Sequence, residues 1–128
     1  MVEVGQIFEY LNELAPVGLK MDFDNVGLLV GNAEAKVDKC LVALDITDEV
    51  IEEAIRLGTQ LIVSHHPIIF GSIKSVTAED IVGRKIIALI RNDISAICMH
   101  TNLDIAEGGV NDALMSALNA KTYGYLEA

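Results

Sequence analysis

The chain contains no tryptophan, two prolines, two cysteines and three histidines. Each scarcity excludes something. Cys40 and Cys98 lie far apart inside apolar runs, so the sequence offers no disulfide framework and no zinc-type Cys-x-x-Cys pair; buried reduced thiols are expected. Basic residues are scarce too: nine Lys and Arg stand against nineteen Asp and Glu, for a formal net charge of −10. Binding nucleic acid or an anionic membrane by counterion release needs a basic surface, so neither partner is expected. Cation binding remains open. No apolar run approaches the ~20 residues of a membrane helix. The opening MVEVGQIFEY has no basic stretch ahead of an apolar one, so it does not read as a secretory signal. These absences point to a cytoplasmic protein that is not membrane-bound.

What is present is apolar and ordered. Hydrophobic residues make up 52% of 128 residues, enough for one domain with a real core. The expectation is a single α/β domain over residues 1–128. Val4, Ile7, Phe8, Leu11 and Leu14 recur at helical spacing, and Pro16 closes that helix. Leu28–Val30 reads as a short strand after a turn at Asp24-Asn25. Cys40 to Ile46 reads as a buried strand, and Thr47 caps the helix that follows, which Gly58 ends. Gln60 to Val63 is a second strand in this alternation. Thr77, with Asp80 three residues on, opens another helix, and Ile94 to Met99 is a third strand. Val110, Ala113, Leu114, Ala117 and Leu118 mark a last helix. Strand and helix in alternation predict a mainly parallel or mixed sheet flanked by helices.

In such sheets ligands gather beyond the carboxyl ends of the strands. The polar residues fall there. The three strands run into Asp45-Ile46-Thr47, Ser64-His65-His66 and His100-Thr101-Asn102-Leu103-Asp104. All three histidines therefore map to one edge of the sheet. Imidazole and carboxylate are the usual ligands of Zn²⁺, Mn²⁺, Fe²⁺ and Ni²⁺. His65, His66 and Asp104 are the candidate ligands, and Pro67 holds the exit from the pair extended. His100 is either a further ligand or a group that orients Asp104 or a substrate. Asp45 reads first as a cap for the next helix, and Asp24-Asn25 as a turn. Asn102 and Asn111 suit side-chain-to-backbone bonds that hold loops. Gly108-Gly109 reads as a plain turn ahead of anion binding, and Lys74 as a surface lysine.

Four segments, FDNVGLLVG (23–31), LVALDIT (41–47), SHHPIIF (64–70) and HTNLDIAEGGVNDALMSAL (100–118), resemble the Nif-three-like family, whose members are also described as GTP cyclohydrolase I type 2 homologues or dinuclear metal-centre proteins. Phe23 stands where that family commonly has tryptophan. The resemblance implies a Nif-three-like α/β fold, two divalent metal ions per complete site, hexameric rings and a metal-dependent hydrolase acting on a nucleotide or related small molecule. It places His65, His66 and Asp104 on the metal ligands and His100 on the active-site histidine. The family's remaining ligands, a histidine and a glutamate, come from a second half that has no counterpart among these residues. Weak or partial metal occupancy is therefore expected of this chain by itself. The alternative is a non-catalytic metal-binding or scaffold module. A mononucleotide-binding domain without metal is disfavoured, because no Gly-x-Gly-x-x-Gly follows a strand.

Overall fold

The computed structural model describes residues 1–121 and 124. Two short strands, β1 (Val2–Glu3) and β3 (Lys36–Val37), pair antiparallel at one side. The main sheet has four strands in the order β2 (Gly27–Val30), β6 (Ser95–Cys98), β5 (Leu61–Ser64) and β4 (Cys40–Ala43). β4, β5 and β6 run parallel; β2 lies antiparallel on β6. The sheet is thus mixed, with its two most buried strands in the centre.

The helices are α1 (Val4–Leu14), α2 (Asp48–Leu57), α3 (Ile81–Arg91), α4 (Thr101–Ile105) and α5 (Val110–Ala117). Two apolar clusters lie on opposite faces of the sheet, as period-2 side chains require. Ile62 and Ala96 pack with Ile51, Ala54, Ile86 and Leu89 of α2 and α3. Leu61 and Ile97 pack with Val4, Ile7, Phe8 and Leu11 of α1 on the other side. No helix among the described residues is long and apolar enough to cross a membrane.

Local chemistry sets the helix ends. Thr47 Oγ1 accepts from the Val50 N–H at 3.1 Å, Asp48 and Glu49 occupy the first turn, and Gly58 ends α2 at φ 67°. α3 starts later than the sequence suggests. Asp80 is itself the cap, accepting from the Gly83 N–H at 2.8 Å. A Cβ on Gly83 would sit 2.4 Å from the Thr77 carbonyl, so Thr77 folds back over the first turn and does not belong to the helix.

Two expectations need correction. The segment from Cys40 to Ile46 is not a buried strand. It is the sheet's edge, its regular pairing ends at Ala43, and Cys40, Val42 and Leu44 are exposed. Cys98 is buried as expected, but Cys40 is not. The apolar stripe of α5 is also uncovered, with Val110, Leu114 and Leu118 all exposed. Sequence periodicity finds a face that wants covering but cannot say what covers it. On the α1 side of the sheet, Tyr10, Leu14, Val42 and Leu44 border an apolar groove of about 600 Å³ that reaches His65.

Candidate metal centre

The site forms where β5 and β6 end. β5 stops at Ser64, so the strict alternation of strand side chains stops there too, and His65 and His66 can face one place. Three bonds pin this exit. Ser64 Oγ donates to the His66 carbonyl at 2.8 Å. The Cys98 thiol donates to the His65 carbonyl at 3.1 Å. The Met99 N–H donates to the Ser64 carbonyl at 3.0 Å. Burial, with the Asp24 charge nearby, pushes the Cys98 thiol up to about 12, so Cys98 is a structural donor and not a thiolate ligand.

The three imidazoles converge. Their ring centroids lie 5.1, 5.1 and 5.5 Å apart, and one ring nitrogen of each lies within 4.8 Å of the others. Every Nδ1 is already engaged. His65 Nδ1 donates to the Met99 carbonyl at 2.9 Å. His66 Nδ1 donates to Asp45 Oδ1 at 2.8 Å. His100 Nδ1 donates to Asp24 Oδ1 at 2.9 Å. A carbonyl or carboxylate oxygen can only accept, so each ring, when neutral, carries its proton on Nδ1 and keeps the Nε2 lone pair free. Outer partners of metal-binding histidines commonly fix the tautomer in this way.

Asp104 joins at one corner. Its Oδ1 lies 3.3 Å from His65 Nε2. Two donors bound at about 2.0–2.2 Å to one tetrahedral ion sit at roughly that separation. α4 delivers Asp104, and its first turn is built by Asn102. This fully buried side chain accepts from the His100 N–H at 2.9 Å and donates to the Ala15 carbonyl at 2.8 Å. Asn111 Nδ2 donates to the Asp104 carbonyl at 3.0 Å. Both asparagines therefore hold loops, as read from the sequence. Gly108 offers nothing to an external anion, because its N–H already donates to Asp112 Oδ2 at 2.6 Å.

Two functional positions escaped the sequence reading. Asp45 does not cap α2; Thr47 does, and Asp45 holds His66. Asp24 is a buried carboxylate that accepts from His100, from the Thr101 hydroxyl and N–H, and from the Asn25 N–H. Burial alone would raise its pKa. The bonds from His100, Thr101 and Asn25 outweigh it and bring Asp24 down to about 2. The usable signal was thin: an aspartate just ahead of an apolar strand, far in sequence from the histidine it meets. Lys74 is exposed, among exposed neighbours in the chain.

The donor set fits a divalent cation: three imidazoles with fixed tautomers and one adjoining carboxylate. Beside it, a cleft of about 460 Å³ runs from Asp45, Thr47 and His66 past Phe70 to Lys85.

Residues 2–128 match the family model described as Duf34/NIF3 (NGG1p interacting factor 3). A "GTP cyclohydrolase 1 type 2 homolog" of Clostridium perfringens is 46% identical over 117 residues, which cover 91% of this chain and 45% of that protein. The solved structure of a Bacillus cereus protein related to NIF3 superposes with a TM-score of 0.87 at 39% identity, covering 93% of this chain and 33% of that one. Reduced HcgD from Methanocaldococcus jannaschii gives 0.85 at 35% identity, over 92% and 47% of the two chains. This chain thus spans less than half the length of each of these relatives.

Proposed function

The chain belongs to the Duf34/NIF3 family, and from that membership and the site we propose that it is the metal-binding part of a metal-dependent hydrolase acting on a nucleotide or related small molecule. One observation carries this reading: three imidazoles converge within 4.8 Å, each with Nδ1 held by a protein oxygen. His65, His66 and Asp104 would hold the ion. Bound there, a divalent metal supplies Lewis acidity toward an electrophilic carbon or phosphorus centre and acidifies water. His100 is anchored to Asp24, and in this reading its Nε2 accepts or returns a proton during hydrolysis. Asp24 stays ionised and stabilises the imidazolium that results. Asp45 orients His66.

A complete site would take two metals, with donors beyond the four named here. The names of the relatives support a nucleotide as substrate; nothing in the cluster itself distinguishes Zn²⁺, Mn²⁺, Fe²⁺ and Ni²⁺. The test is turnover by the Mn²⁺- or Zn²⁺-loaded protein on a panel of nucleotides, phosphoesters and cyclic amides. The reading expects activity that His100→Ala removes while metal stays bound. No turnover on any member of the panel would sink it.

A second reading, a metal-binding assembly module, is favoured by the bare apolar face around Val42 and Leu44. In both readings the protein self-associates through that face. His65→Ala and His66→Ala separate the two readings. Retained assembly with lost turnover favours the enzyme; lost assembly with no activity to lose favours the module.

A further inference from the structure

Aromatic residues are only 5% of this chain, and three of them are phenylalanines. Phe8 packs into the core under α1. The other two do not. Phe23 is 65% exposed and Phe70 55% exposed; Phe70 stands beside His100, and Phe23 beside Phe70. Their ring centroids are 6.3 Å apart at 60°. Phe70 in turn meets His100 at 6.3 Å and 81°. Neither neighbour lies flat on Phe70, so among the described residues no parallel ring covers its face. A large apolar side chain left in water is informative when it borders a cleft with chemistry in it. Phe70 lines the 460 Å³ cleft that begins at His66 and Asp45. Lys85, half-buried on α3, lines the same cleft and forms no ion pair among the described residues. In a chain of net charge −10, a lysine at that position is a local exception to a repulsive field.

We propose that Phe70, with Phe23 behind it, is the stacking platform for a planar heteroaromatic ring, and that Lys85 meets an anionic group on the same ligand. The inference deepens the hydrolase reading by naming the residues that select a ring-bearing anion over a simple phosphoester. A planar ring has the face that Phe70 lacks a partner for, and base–aromatic stacking is sequence-tolerant but demands a π-system. Stacking against Phe70 also holds the ring within one side chain's width of His100.

Binding, not turnover, is the test, so that it stands or falls apart from the hydrolase reading. The chain is stripped of metal with EDTA, and the probes are GMP, guanosine and ribose 5-phosphate, followed by calorimetry and by the aromatic proton resonances. GMP is expected to shift the Phe70 and Phe23 ring signals. Phe70→Leu is expected to weaken GMP and guanosine by about tenfold and to leave ribose 5-phosphate unchanged. Phe23→Leu gives a smaller loss in the same direction. Lys85→Gln is expected to weaken GMP and ribose 5-phosphate several-fold and spare guanosine. Both phenylalanines are exposed, so the variants keep their core, and unchanged thermal melting checks this. The proposal is overturned if GMP fails to bind, if Phe70→Leu binds it as well as the parent, or if ribose 5-phosphate loses as much as GMP in that variant. Ring-dependent binding without any turnover would sink the hydrolase reading and leave this one standing.

Discussion

Each histidine at the site is matched by an oxygen that cannot donate, and that pairing decides what the cluster can do. Replacing Asp45 by Asn keeps the shape but frees His66 to turn or change tautomer. Loss of such an outer partner typically weakens metal binding 10–100-fold, and calorimetry with Zn²⁺ on Asp45→Asn should find a drop of about that order. Asp24 gives a second expectation, in stability. Its carboxyl titrates at about 2 in the folded chain against about 3.9 when unfolded. A depressed carboxyl stabilises the fold above its unfolded value, and that contribution is lost as pH falls from about 4 through 2. Acid titration of the parent should therefore show a loss of about 2 kcal/mol in that window. Asp24→Asn should be less stable at neutral pH and flatter below pH 4; an unchanged acid limb would contradict the assignment. At this scale the sequence singled out His65, His66, His100 and Asp104, which the fold brings together, because polar residues at strand ends stand out. It concealed Asp24 and Asp45, because their meaning lies in a partner distant in the chain, and an aspartate beside a turn has a commoner local explanation.

Elements position these residues through caps and close approaches. Thr47 ties the start of α2 just after Asp45, and Thr47→Ala should cost about 1 kcal/mol in denaturant unfolding. Gly109 is stricter. A Cβ there would stand 1.9 Å from the Leu103 carbonyl and 2.8 Å from that of Ala106, between the helix bearing Asp104 and α5. Gly109→Ala should lose more than ~2 kcal/mol, whereas Gly18→Ala, with nothing within 4 Å, should stay within about 0.5 kcal/mol. Equal midpoints for the two would refute the close approach. The α/β alternation and four of the helices were legible from periodicity and caps. The short helix α4 was not, since its five residues read as a polar strand exit, and its turn depends on Asn102 reaching across to Ala15. The start of α3 was misread because Thr77 and Asp80 are both good caps, and the choice between them rests on how tightly Gly83 lets Thr77 approach.

At the scale of the whole molecule the sheet is covered on the α2–α3 side and partly bare on the α1 side, where Val42 of the edge strand β4 and Leu44 just beyond it are 77% and 62% exposed. Burying such surface is favourable by about 25 cal/mol per Å². Sedimentation should find concentration-dependent self-association that Val42→Glu with Leu44→Lys abolishes; a monomer at every concentration would remove the oligomer from the account. This feature was half legible. The apolar surplus was plain in composition, but the runs that carry it looked like core, since a sequence does not say which strand ends a sheet. The central claim is that His65, His66 and Asp104 hold a metal ion beside His100, and the direct measurement is elemental analysis of the purified chain after dialysis against Zn²⁺ and Mn²⁺, with mass determined in the same sample. The account predicts bound metal at about one equivalent or less per chain, lost in His65→Ala and in His66→Ala while both stay folded. Metal retained in both variants, or none in the folded parent, would contradict it.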